Sequence, residues 1–424
     1  MLTIKQLTED TDAVIRGLNK KNVKNAKELV AQAIQFNEDR VEAQQELDNN
    51  LAKVNTISKN IGQLIREGKK EEGMKLRDEV AQMKEQTQSL EKKMNSATQN
   101  LEKLLLDLPN VPHDSVPEGL TPEDNQVERE GGVQPELPTD AIPHWELAKK
   151  YDIIDFELGV KISGAGFPLY KGKGARLQRA LINFFLDEAR DAGYYEVEPP
   201  YLVNATSAYA TGQLPDKDGQ MYTDAKDELF LIPTAEVPVT NIYRDVILDK
   251  EDLPIKNSAY SACFRREAGS YGKDVRGLNR LHQFNKVEIV RIDTPENSYN
   301  SLKEMVEYVE GLINKLGLPY RILRLCSGDM SFTSALTFDF EVYSAAQKRW
   351  LEVSSVSNFE SYQANRMKCR YRKEDKKIEL CHTLNGSALA LPRIVAALLE
   401  NYQTPEGIRI PEILVPYCGF DIID

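Results

Sequence analysis

The chain has 424 residues, of which 41 % are hydrophobic, and it carries a formal net charge of −12. This length and composition can bury a large core and leave material for a second module. No apolar run approaches the roughly 18 residues that a membrane span needs, and the N-terminus MLTIKQLTED lacks the basic start and apolar stretch of a signal peptide, so a cytoplasmic protein with no membrane partner is expected.

The cysteines and histidines argue against a zinc or redox centre. The five cysteines are scattered at long intervals without a Cys-x-x-Cys pair, which predicts reduced thiols: Cys263, Cys326, Cys369, Cys381 and Cys418. Only four histidines occur, and none lies at helical i, i+4 spacing to another. A His-based transition-metal site is therefore not expected, and any metal should be bound by oxygen atoms.

Charge is unevenly distributed along the chain. Residues 1–108 hold 18 basic and 18 acidic groups, whereas 109–145 hold one basic and eight acidic groups. Within the first region, residues 53–93 hold ten basic and seven acidic groups, an excess that a phosphate backbone could use. A charge-rich helix surface is more often only a solvated face, so this pattern alone does not identify a nucleic-acid partner.

The first 108 residues predict two long helices that pair with each other. One heptad seam alternates steps of four and three through Leu76, Val80, Met83, Thr87, Leu90, Met94, Ala97, Leu101, Leu104 and Leu108. An earlier, less regular seam runs through Leu47, Leu51, Val54, Ser58, Ile61 and Leu64. Gly68 and Gly73 lie in the polar connection 66–73 and predict a turn between antiparallel helices. The alternative, a parallel coiled coil of two chains, would be interrupted by this connection.

Prolines and a change of pattern divide the rest of the chain. The acidic stretch 109–145 contains Pro109, Pro112, Pro117, Pro122, Pro135, Pro138 and Pro143, which predicts a linker. Beyond it, strand-like runs such as 194–203 and 284–291 alternate with amphipathic helices. The predicted organisation is therefore a helical hairpin (1–108), an acidic Pro-rich linker (109–145) and an α+β domain (146–424).

The segment from Cys263 to Glu288 is the richest in chemistry. Its ends look like strands, and its middle like a loop in which glycines permit turns and cations could meet a polyanion: Gly269, Gly272, Lys273, Arg276, Gly277 and Arg280. On the first strand, Arg265 and Glu267 point to the same face. Taken alone, these two residues would be interpreted as a surface ion pair.

The segment gains meaning from a family resemblance. Phe264-Arg-x-Glu, the basic Gly-rich loop and Arg280-x-His-Gln-Phe-x-Lys-Val-Glu288 together resemble the second signature motif of class II aminoacyl-tRNA synthetases, in the form of the seryl-tRNA synthetases. The resemblance implies that Arg265 binds the α-phosphate of ATP, with Arg266 in the same nucleotide-binding run. It implies that Glu267 reads the adenine amino group and that Phe284 stacks on the adenine. A guanidinium fork suits a phosphorus centre whose geometry changes during reaction.

A second resemblance concerns the amino acid. Leu231-Ile-Pro-Thr-Ala-Glu236 resembles the family's Thr-x-Glu loop, which binds the α-amino end of serine, although Thr-Ala-Glu alone is a commonplace tripeptide. The implied L-serine contacts are Thr234, Ala235, Glu236, Arg265, Glu288 and Ser387. A small pocket with carboxylates suits a small zwitterion bearing a hydroxyl, because an analogue without that hydroxyl would leave polar groups unpaired.

Two further elements complete the nucleotide site that the resemblance implies. Trp350-Leu-Glu-Val-Ser-Ser355 resembles the strand that holds a divalent metal against ATP, which implies ATP contacts at Glu352, Val353, Ser354 and Ser355. Glu352 and Ser355 would supply the oxygen ligands that Mg²⁺ prefers, whereas an isolated Glu-x-x-Ser would by default be a sheet pair without metal. His382 to Arg393, followed by an apolar helix 394–402, resembles the third motif, in which Arg393 would bind the γ-phosphate.

The remaining implications concern assembly and reaction. Gly164 to Val203, with a helix at 175–189, resembles the first motif, which forms the homodimer interface of the family. The expected fold is a helical arm plus a class II catalytic domain built on an antiparallel sheet flanked by helices. The expected reaction is ATP-dependent formation of seryl-adenylate and transfer of the seryl group to serine tRNA, with Arg265 and Arg393 as catalytic residues that position substrates and stabilise charge. The arm would read the tRNA by shape and phosphates, and charging of selenocysteine tRNA stays open.

Four positions depart from the family pattern, and two other kinds of protein could share parts of this sequence pattern. Ala388, Leu391, Pro392 and Val356 differ from the common family residues, which affects backbone packing but removes no charge. A catalytically silent relative that only binds tRNA or a partner would be expected to lack Arg265, Glu352 or Arg393, and all three are present. A coiled-coil adaptor would leave the domain after Pro143 unexplained.

Overall fold

A computed structural model describes residues 1–267 and 276–424 of the chain. The predicted loop residues Gly269, Gly272 and Lys273 lie outside the described residues. The chain divides into two compact units, Met1–Val111 and Pro112–Asp424. In the part of the chain that the structure describes, no helix is both long enough and apolar enough to span a lipid bilayer.

The first unit is built from helices, and its two long ones form the predicted hairpin. They are α1 (Ile4–Glu9), α2 (Thr11–Lys20), α3 (Ala26–Arg66) and α4 (Lys70–Asp107). The side chain of Thr3 accepts a hydrogen bond from the Gln6 amide at 3.1 Å, and the Thr3 amide donates to the Gln6 side chain, so α1 begins with a capping box. Gly68, between α3 and α4, has a φ of +82°, a conformation that costs glycine nothing. The helical hairpin is confirmed.

The seam of α3 differs from the prediction, whereas the seam of α4 follows it. The least exposed positions of α3 along the hairpin are Ala43, Leu47, Asn50, Val54, Ile57, Ile61 and Leu64. Leu51 is 40 % exposed and Ser58 is exposed, so these two predicted seam positions are wrong. The amide of Asn50 takes the place of Leu51 and donates to the Met83 carbonyl at 2.9 Å and to the Thr87 hydroxyl at 3.1 Å. Asn50 was missed because apolar periodicity does not identify a polar residue in the seam.

The second unit is an α+β domain. Its helices are α5 (His144–Lys150), α6 (Phe156–Ser163), α7 (Gly172–Asp191), α8 (Ala205–Thr211), α9 (Glu236–Thr240), α10 (Ser298–Lys315), α11 (Ser361–Met367), α12 (Leu391–Asn401) and α13 (Val415–Cys418). Its strands are β1 (Gln126–Gly131), β2 (Ile154–Asp155), β3 (Leu169–Tyr170), β4 (Tyr195–Glu196), β5 (Leu202–Asn204), β6 (Thr223–Asp224), β7 (Leu229–Leu231), β8 (Ile247–Asp249), β9 (Ile255–Phe264), β10 (Gln283–Asp293), β11 (Tyr320–Arg324), β12 (Leu336–Ser344), β13 (Arg349–Asn358), β14 (Arg370–Arg372), β15 (Ile378–Leu380), β16 (His382–Ala390), β17 (Gln403–Thr404), β18 (Gly407–Arg409) and β19 (Ile422–Ile423). Short 3-10 turns lie at Pro122–Asp124, Asn241–Tyr243, Lys250–Asp252 and Glu412–Leu414.

A large sheet organises this unit. Its strand order is β1-β11-β12-β13-β16-β10-β9-β4, and neighbouring strands are antiparallel apart from β4 and β9, which are parallel. The helices α7, α10 and α12 cover one face of the sheet. Their buried contributions to the main core are Leu177, Leu181, Phe184, Phe185, Met305, Val309, Ile313, Ile394, Val395 and Leu398. The predicted antiparallel sheet flanked by helices is confirmed.

Two predicted segments differ in detail. The stretch 109–145, expected to be a linker, contributes the edge strand β1, which pairs with β11 through contacts such as Gly131 opposite Tyr320. Its acidic and proline-rich composition hid a short edge strand. The run 194–203, expected to be one strand, is divided into β4 and β5 by Glu198-Pro-Pro200, because proline cannot donate to a sheet ladder.

Candidate active site

A cavity of 540 Å³ lies over the central strands of the sheet, on the face opposite the three core helices. It collects predicted residues that are up to 159 positions apart: Thr234, Glu236, Arg265, Glu267, Phe284, Glu288, Glu352, Val353, Ser354, Ser355, Ser387 and Arg393. Within the described part of the chain, Ala235 and Arg266 do not line it. Ala235 is buried in a small apolar cluster with Val239, and the Arg266 guanidinium lies 5.7 Å from the ring centre of Tyr222.

Strand β10 delivers three of the lining side chains because residues alternate between the faces of a strand. Phe284, Lys286 and Glu288 line the cavity, while the intervening Val287 and Ile289 belong to the helix-covered core. Across the sheet Glu288 is paired with Ser387 of β16. The register of β10 therefore decides which side chains reach a ligand.

A buried polar network forms one end of the cavity. The Thr234 hydroxyl donates to the Glu288 carboxylate at 2.9 Å and accepts from the ammonium group of Lys286 at 2.9 Å. Lys286 and Glu288 also form an ion pair, and both side chains are almost fully buried. Buried charges remain stable only when they are paired and hydrogen-bonded, which this arrangement provides. The network fixes the orientation of the Thr234 hydroxyl and of the Glu288 carboxylate at this end of the cavity.

Glu236 is the second carboxylate of this end. Burial and the negative charge of Glu288 together raise the pKa of Glu236 to about 7, although a hydrogen bond from Gln363 and the charge of Lys286 act in the opposite direction. The Gln363 amide donates to Glu236 at 2.7 Å. The first turn of α9 begins at Glu236, and its amide donates to the Thr234 hydroxyl at 3.2 Å. A cationic ligand would stabilise the ionised form of such a carboxyl group.

The middle of the cavity combines an arginine with an aromatic ring. The guanidinium carbon of Arg265 lies 5.2 Å from the ring centre of Phe284, within the range of a cation–π contact. Its Nε donates to the Pro233 carbonyl at 3.3 Å. Glu267 accepts a hydrogen bond from Arg280 at 3.1 Å. This region offers both positive charge and a flat apolar surface.

Arg393 lies at the far side of the cavity, in the first turn of α12. Its Nε donates to the Asn279 carbonyl at 3.1 Å, and its Nη1 donates to the Glu352 carbonyl at 2.6 Å. The Glu352 carboxylate lies 3.7 Å from the same Nη1. Two backbone carbonyls thus hold the guanidinium plane and leave its remaining hydrogen-bond donors for a ligand.

Oxygen atoms of β13 complete the site. The Ser355 hydroxyl donates to the Asp339 carboxylate at 2.5 Å, and the Ser354 hydroxyl donates to the Ser387 carbonyl at 2.5 Å. Burial, together with the negative charge of Glu352, holds the pKa of Asp339 well above its ordinary value. Carboxylate and hydroxyl oxygens of this kind are suitable ligands for Mg²⁺, which takes one or two carboxylates and completes its shell with water and phosphate oxygens. Among the described residues, no group of three or more His, Cys, Asp or Glu side chains is arranged to hold a metal ion.

Several lining residues were not identified from the sequence. Lys286, Asn279 and Asn385 line the cavity, and Asp339 supports Ser355 from the neighbouring strand β12. Lys286 could have been found from its alternation with Phe284 and Glu288. The contribution of Asp339 depends on the pairing of β12 with β13, which the sequence alone does not specify.

Two family models match parts of the chain, and known proteins match it over almost its full length. Residues 1–112 match the model of the seryl-tRNA synthetase N-terminal domain, and residues 220–402 match the class II tRNA synthetase core domain (G, H, P, S and T). The serine–tRNA ligase of Salinibacter ruber is 52 % identical over 99 % of this chain and 98 % of its own length. That of Prosthecochloris aestuarii is 46 % identical over 100 % of this chain and 99 % of its own length.

Solved structures agree with these matches. The crystal structure of seryl-tRNA synthetase from Pyrococcus horikoshii complexed with ATP has a TM-score of 0.91 and 31 % identity, and covers 100 % of this chain and 99 % of its own. The cytoplasmic serine–tRNA ligase of Naegleria fowleri, crystallised with AMP, has a TM-score of 0.87 and 25 % identity with the same coverage. Fold and sequence therefore agree over the full length.

Proposed function

Because the chain belongs to the seryl-tRNA synthetase family, we propose that its 540 Å³ cavity holds L-serine and ATP in contact with each other. The chain is a class II aminoacyl-tRNA synthetase that activates L-serine with ATP and charges tRNA. A serine carboxylate oxygen attacks the α-phosphorus, the bond from that phosphorus to the bridging oxygen breaks, and pyrophosphate leaves. The 3′-hydroxyl of the terminal tRNA adenosine then attacks the seryl carbonyl, and AMP leaves.

The end of the cavity with Thr234, Glu236 and Glu288 is proposed to bind serine. The ammonium group would face Glu236, whose pKa is raised by burial and by the charge of Glu288. The serine hydroxyl would contact Glu288 and Ser387, which are paired across β10 and β16. Ala235 would contribute through the backbone of the Thr-Ala-Glu turn, since its side chain is buried away from the cavity.

The rest of the cavity is proposed to bind ATP. Arg265 would contact the α-phosphate and the serine carboxylate, Phe284 the adenine face, and Glu267 the adenine amino group. Arg393 would contact the γ-phosphate from the first turn of α12, while Val353 and Ser354 line the cavity from β13. Arg265 and Arg393 would position the reacting groups and stabilise the charge on phosphorus oxygens, so no side chain needs to act as a covalent nucleophile. The assignment of Arg266 is supported only by its place in the motif.

Glu352 and Ser355 are proposed as the protein ligands of Mg²⁺. When bound, the ion would neutralise phosphate charge. Asp339 would orient the Ser355 hydroxyl through the hydrogen bond described above. The high pKa of Asp339, caused by burial and by Glu352, is typical of a site with more negative charge than its own residues neutralise.

The helical arm is proposed to bind serine tRNA by shape and by phosphate contacts. Its basic excess between residues 53 and 93 supports this role. The proposal includes selenocysteine tRNA as a second substrate. Cytoplasmic location is proposed as well, supported by five buried cysteines, all in the described part of the chain, none of which forms a disulfide.

A homodimer is proposed through the first-motif region. Apolar side chains stand exposed in and beside it, among them Ile162 at 68 % and Tyr195 at 74 % exposure. Large exposed apolar and aromatic side chains are common at protein interfaces. Covering them with a second copy would remove this apolar area from water.

One observation supports the proposal as a whole: residues that the family resemblance assigns to serine and to ATP, from four separate segments of the chain, line a single cavity. The decisive experiment is pyrophosphate exchange with each amino acid in turn. Exchange that depends on serine is expected. Absence of any exchange would exclude the enzymatic role, and dependence on another amino acid would exclude only the serine assignment.

A further inference from the structure

A buried His–Glu pair lies beside the active site and has no role in the reaction described above. His144 begins α5 and Glu400 lies near the end of α12, and both side chains are fully buried. The Nδ1 of His144 and the Glu400 carboxylate are 2.8 Å apart. A buried charged residue is costly unless every hydrogen-bonding position is used, so its partners are informative.

The Glu400 carboxylate is held by donors from two segments, at residue 144 and at residues 344–347. It accepts from the His144 amide at 2.9 Å, from the Ser344 hydroxyl, and from the Gln347 side chain at 3.0 Å, in addition to the His144 ring. Gln347 also donates to the Ser344 hydroxyl at 2.8 Å. The Glu400 carboxylate is therefore held in one position, and it links the end of β12 to the beginning of α5.

The His144 ring transmits this fixed position to the segment that follows the undescribed residues. Its Nε2 accepts a hydrogen bond from the Leu278 amide at 2.9 Å. Because Nε2 accepts, the Nδ1 that faces Glu400 is the donor of the ring. Gly277, with a φ of +65°, packs so closely that a Cβ there would lie 2.2 Å from the same Nε2. A residue with a side chain at position 277 would therefore collide with the His144 ring.

The next residue, Asn279, joins this network to the catalytic arginine. Its carbonyl accepts the Nε–H of Arg393 at 3.1 Å, while its side-chain amide donates to Gln347 at 3.1 Å. Gln347 in turn donates to Glu400. A closed chain of contacts therefore connects Glu400, His144, the backbone of 278–279 and Gln347, and Arg393 is hydrogen-bonded to it.

Helix geometry explains why Arg393 and Glu400 can serve the same segment. They are seven residues apart in α12, which is about two turns, so they lie on the same face of the helix. Ala396 and Ala397 lie between them on this face and are fully buried. Small residues there allow a neighbouring backbone to approach closely.

We propose that His144, Gln347 and Glu400 are positioning residues that orient Arg393 for ATP by fixing the Asn279 carbonyl. They do not touch the substrates; they act through one hydrogen bond to the Arg393 guanidinium. The inference rests on the proposed role of Arg393 at the ATP phosphates. It gives the C-terminal half of α12 a function in ATP binding beyond core packing.

Two variants test the network by the Michaelis constants of pyrophosphate exchange. Glu400→Gln keeps the shape but loses the charge, and Gln347→Met keeps the volume of a partly buried side chain but loses its hydrogen bonds. Each is expected to raise the KM for ATP about five- to tenfold, the effect of one misplaced charge-assisted hydrogen bond, with the KM for serine unchanged. If Glu400→Gln does not fold, Gln347→Met decides.

A matched control separates positioning from stability. Glu310 of α10 is also buried and accepts a hydrogen bond from Tyr320 at 2.6 Å, but its partners lie away from the cavity. Glu310→Gln is expected to lower the melting temperature and leave both KM values unchanged. An unchanged KM for ATP in both Glu400→Gln and Gln347→Met would overturn the proposal, whatever their stability.

A double-mutant cycle with Arg393→Lys identifies the route. ATP dissociation constants are measured by calorimetry for Gln347→Met, Arg393→Lys and the double variant. Strong non-additivity is expected, since the network would have little left to orient once the guanidinium is gone. Additive effects would overturn the route through Arg393. If Arg393→Lys and Arg393→Ala both bind ATP like the unmodified chain, the proposed role of Arg393 fails instead.

Discussion

The hydroxyl of Thr234 donates to the carboxylate of Glu288 across 2.9 Å in a part of the cavity that water hardly reaches. Because the same hydroxyl accepts from Lys286, removing it leaves two buried charged groups short of a partner.

Thr234→Val should therefore weaken serine binding selectively. We expect the KM for serine to rise about tenfold or more, the effect of one buried hydrogen bond to a charged group, with little change in the KM for ATP. The measurement is serine-dependent pyrophosphate exchange. Thr240→Val is the matched control, because the Thr240 hydroxyl is buried without a hydrogen-bond partner among the described residues. Equal losses in both variants would contradict the role of Thr234.

Serine binding should depend on pH through Glu236. The pKa of Glu236 is raised to about 7, mainly by burial, so below pH 7 the free site carries a proton that the serine ammonium group must displace. The KM for serine should fall about tenfold per unit as the pH rises towards 7 and then level off. Glu236→Gln should bind serine weakly at every pH and lose this dependence, whereas Glu352→Gln should keep it. A flat profile in the unmodified chain would argue against the assignment.

The same group should affect stability in the opposite direction. Since the folded-state pKa of Glu236 lies above its ordinary value of 4.5, the folded chain binds an extra proton between these values, and its stability falls as the pH rises through this window. Glu236→Gln should therefore show a smaller decrease in melting temperature between pH 5 and pH 8 than the unmodified chain. Thermal unfolding at a series of pH values measures this, and an identical decrease would contradict the high pKa.

Mg²⁺ dependence should identify the metal ligands. Glu352→Gln is expected to raise the Mg²⁺ concentration for half-maximal exchange by about 10- to 100-fold, because a carboxylate ligand is lost. Glu341→Gln removes the same charge from the opposite position on β12, where the side chain is bonded to Arg321. Its Mg²⁺ dependence should stay near that of the unmodified chain. A shift of equal size in both would indicate a general charge effect.

Deletion of the arm should separate the two half-reactions. A chain without residues 30–105 is expected to form seryl-adenylate at a near-normal rate and to lose tRNA charging, because the arm is proposed to bind only the tRNA. Pyrophosphate exchange and charging assays measure the two steps. Arg265→Ala in the complete chain should lose both activities, and equal loss of both in the deletion would refute this division of labour.

The sequence predicted the site better than it predicted the surroundings of the site. Phe284 and Glu288 were predicted because they lie in a long and specific motif that resembles a known family. Asn279 and Asp339 were missed because their contributions come from a carbonyl and from the register of a neighbouring strand. The residue types Asn and Asp do not by themselves indicate either of these contributions.

Composition misled in two places for physical reasons. Strand β1 lies in an acidic, proline-rich stretch, where an edge strand needs few apolar residues because it is largely exposed. Asn50 interrupts the apolar seam of α3, which shifted the predicted seam to Leu51. In both cases a hydrogen-bonded backbone or amide replaces the hydrophobic signal.

Asn50 also fixes the register in which α3 and α4 pair. Sliding α3 along α4 by one heptad would move the two helices about 10 Å relative to each other and would remove its amide from Met83 and Thr87. An apolar residue at this position would tolerate such slippage far better, because hydrophobic contact has no direction. The amide thereby also sets which surface charges face each other, such as Lys93 and Glu42 at 3.2 Å. If tRNA phosphates contact the charged side chains of the arm as proposed, they would meet the same spacing of charges in every molecule.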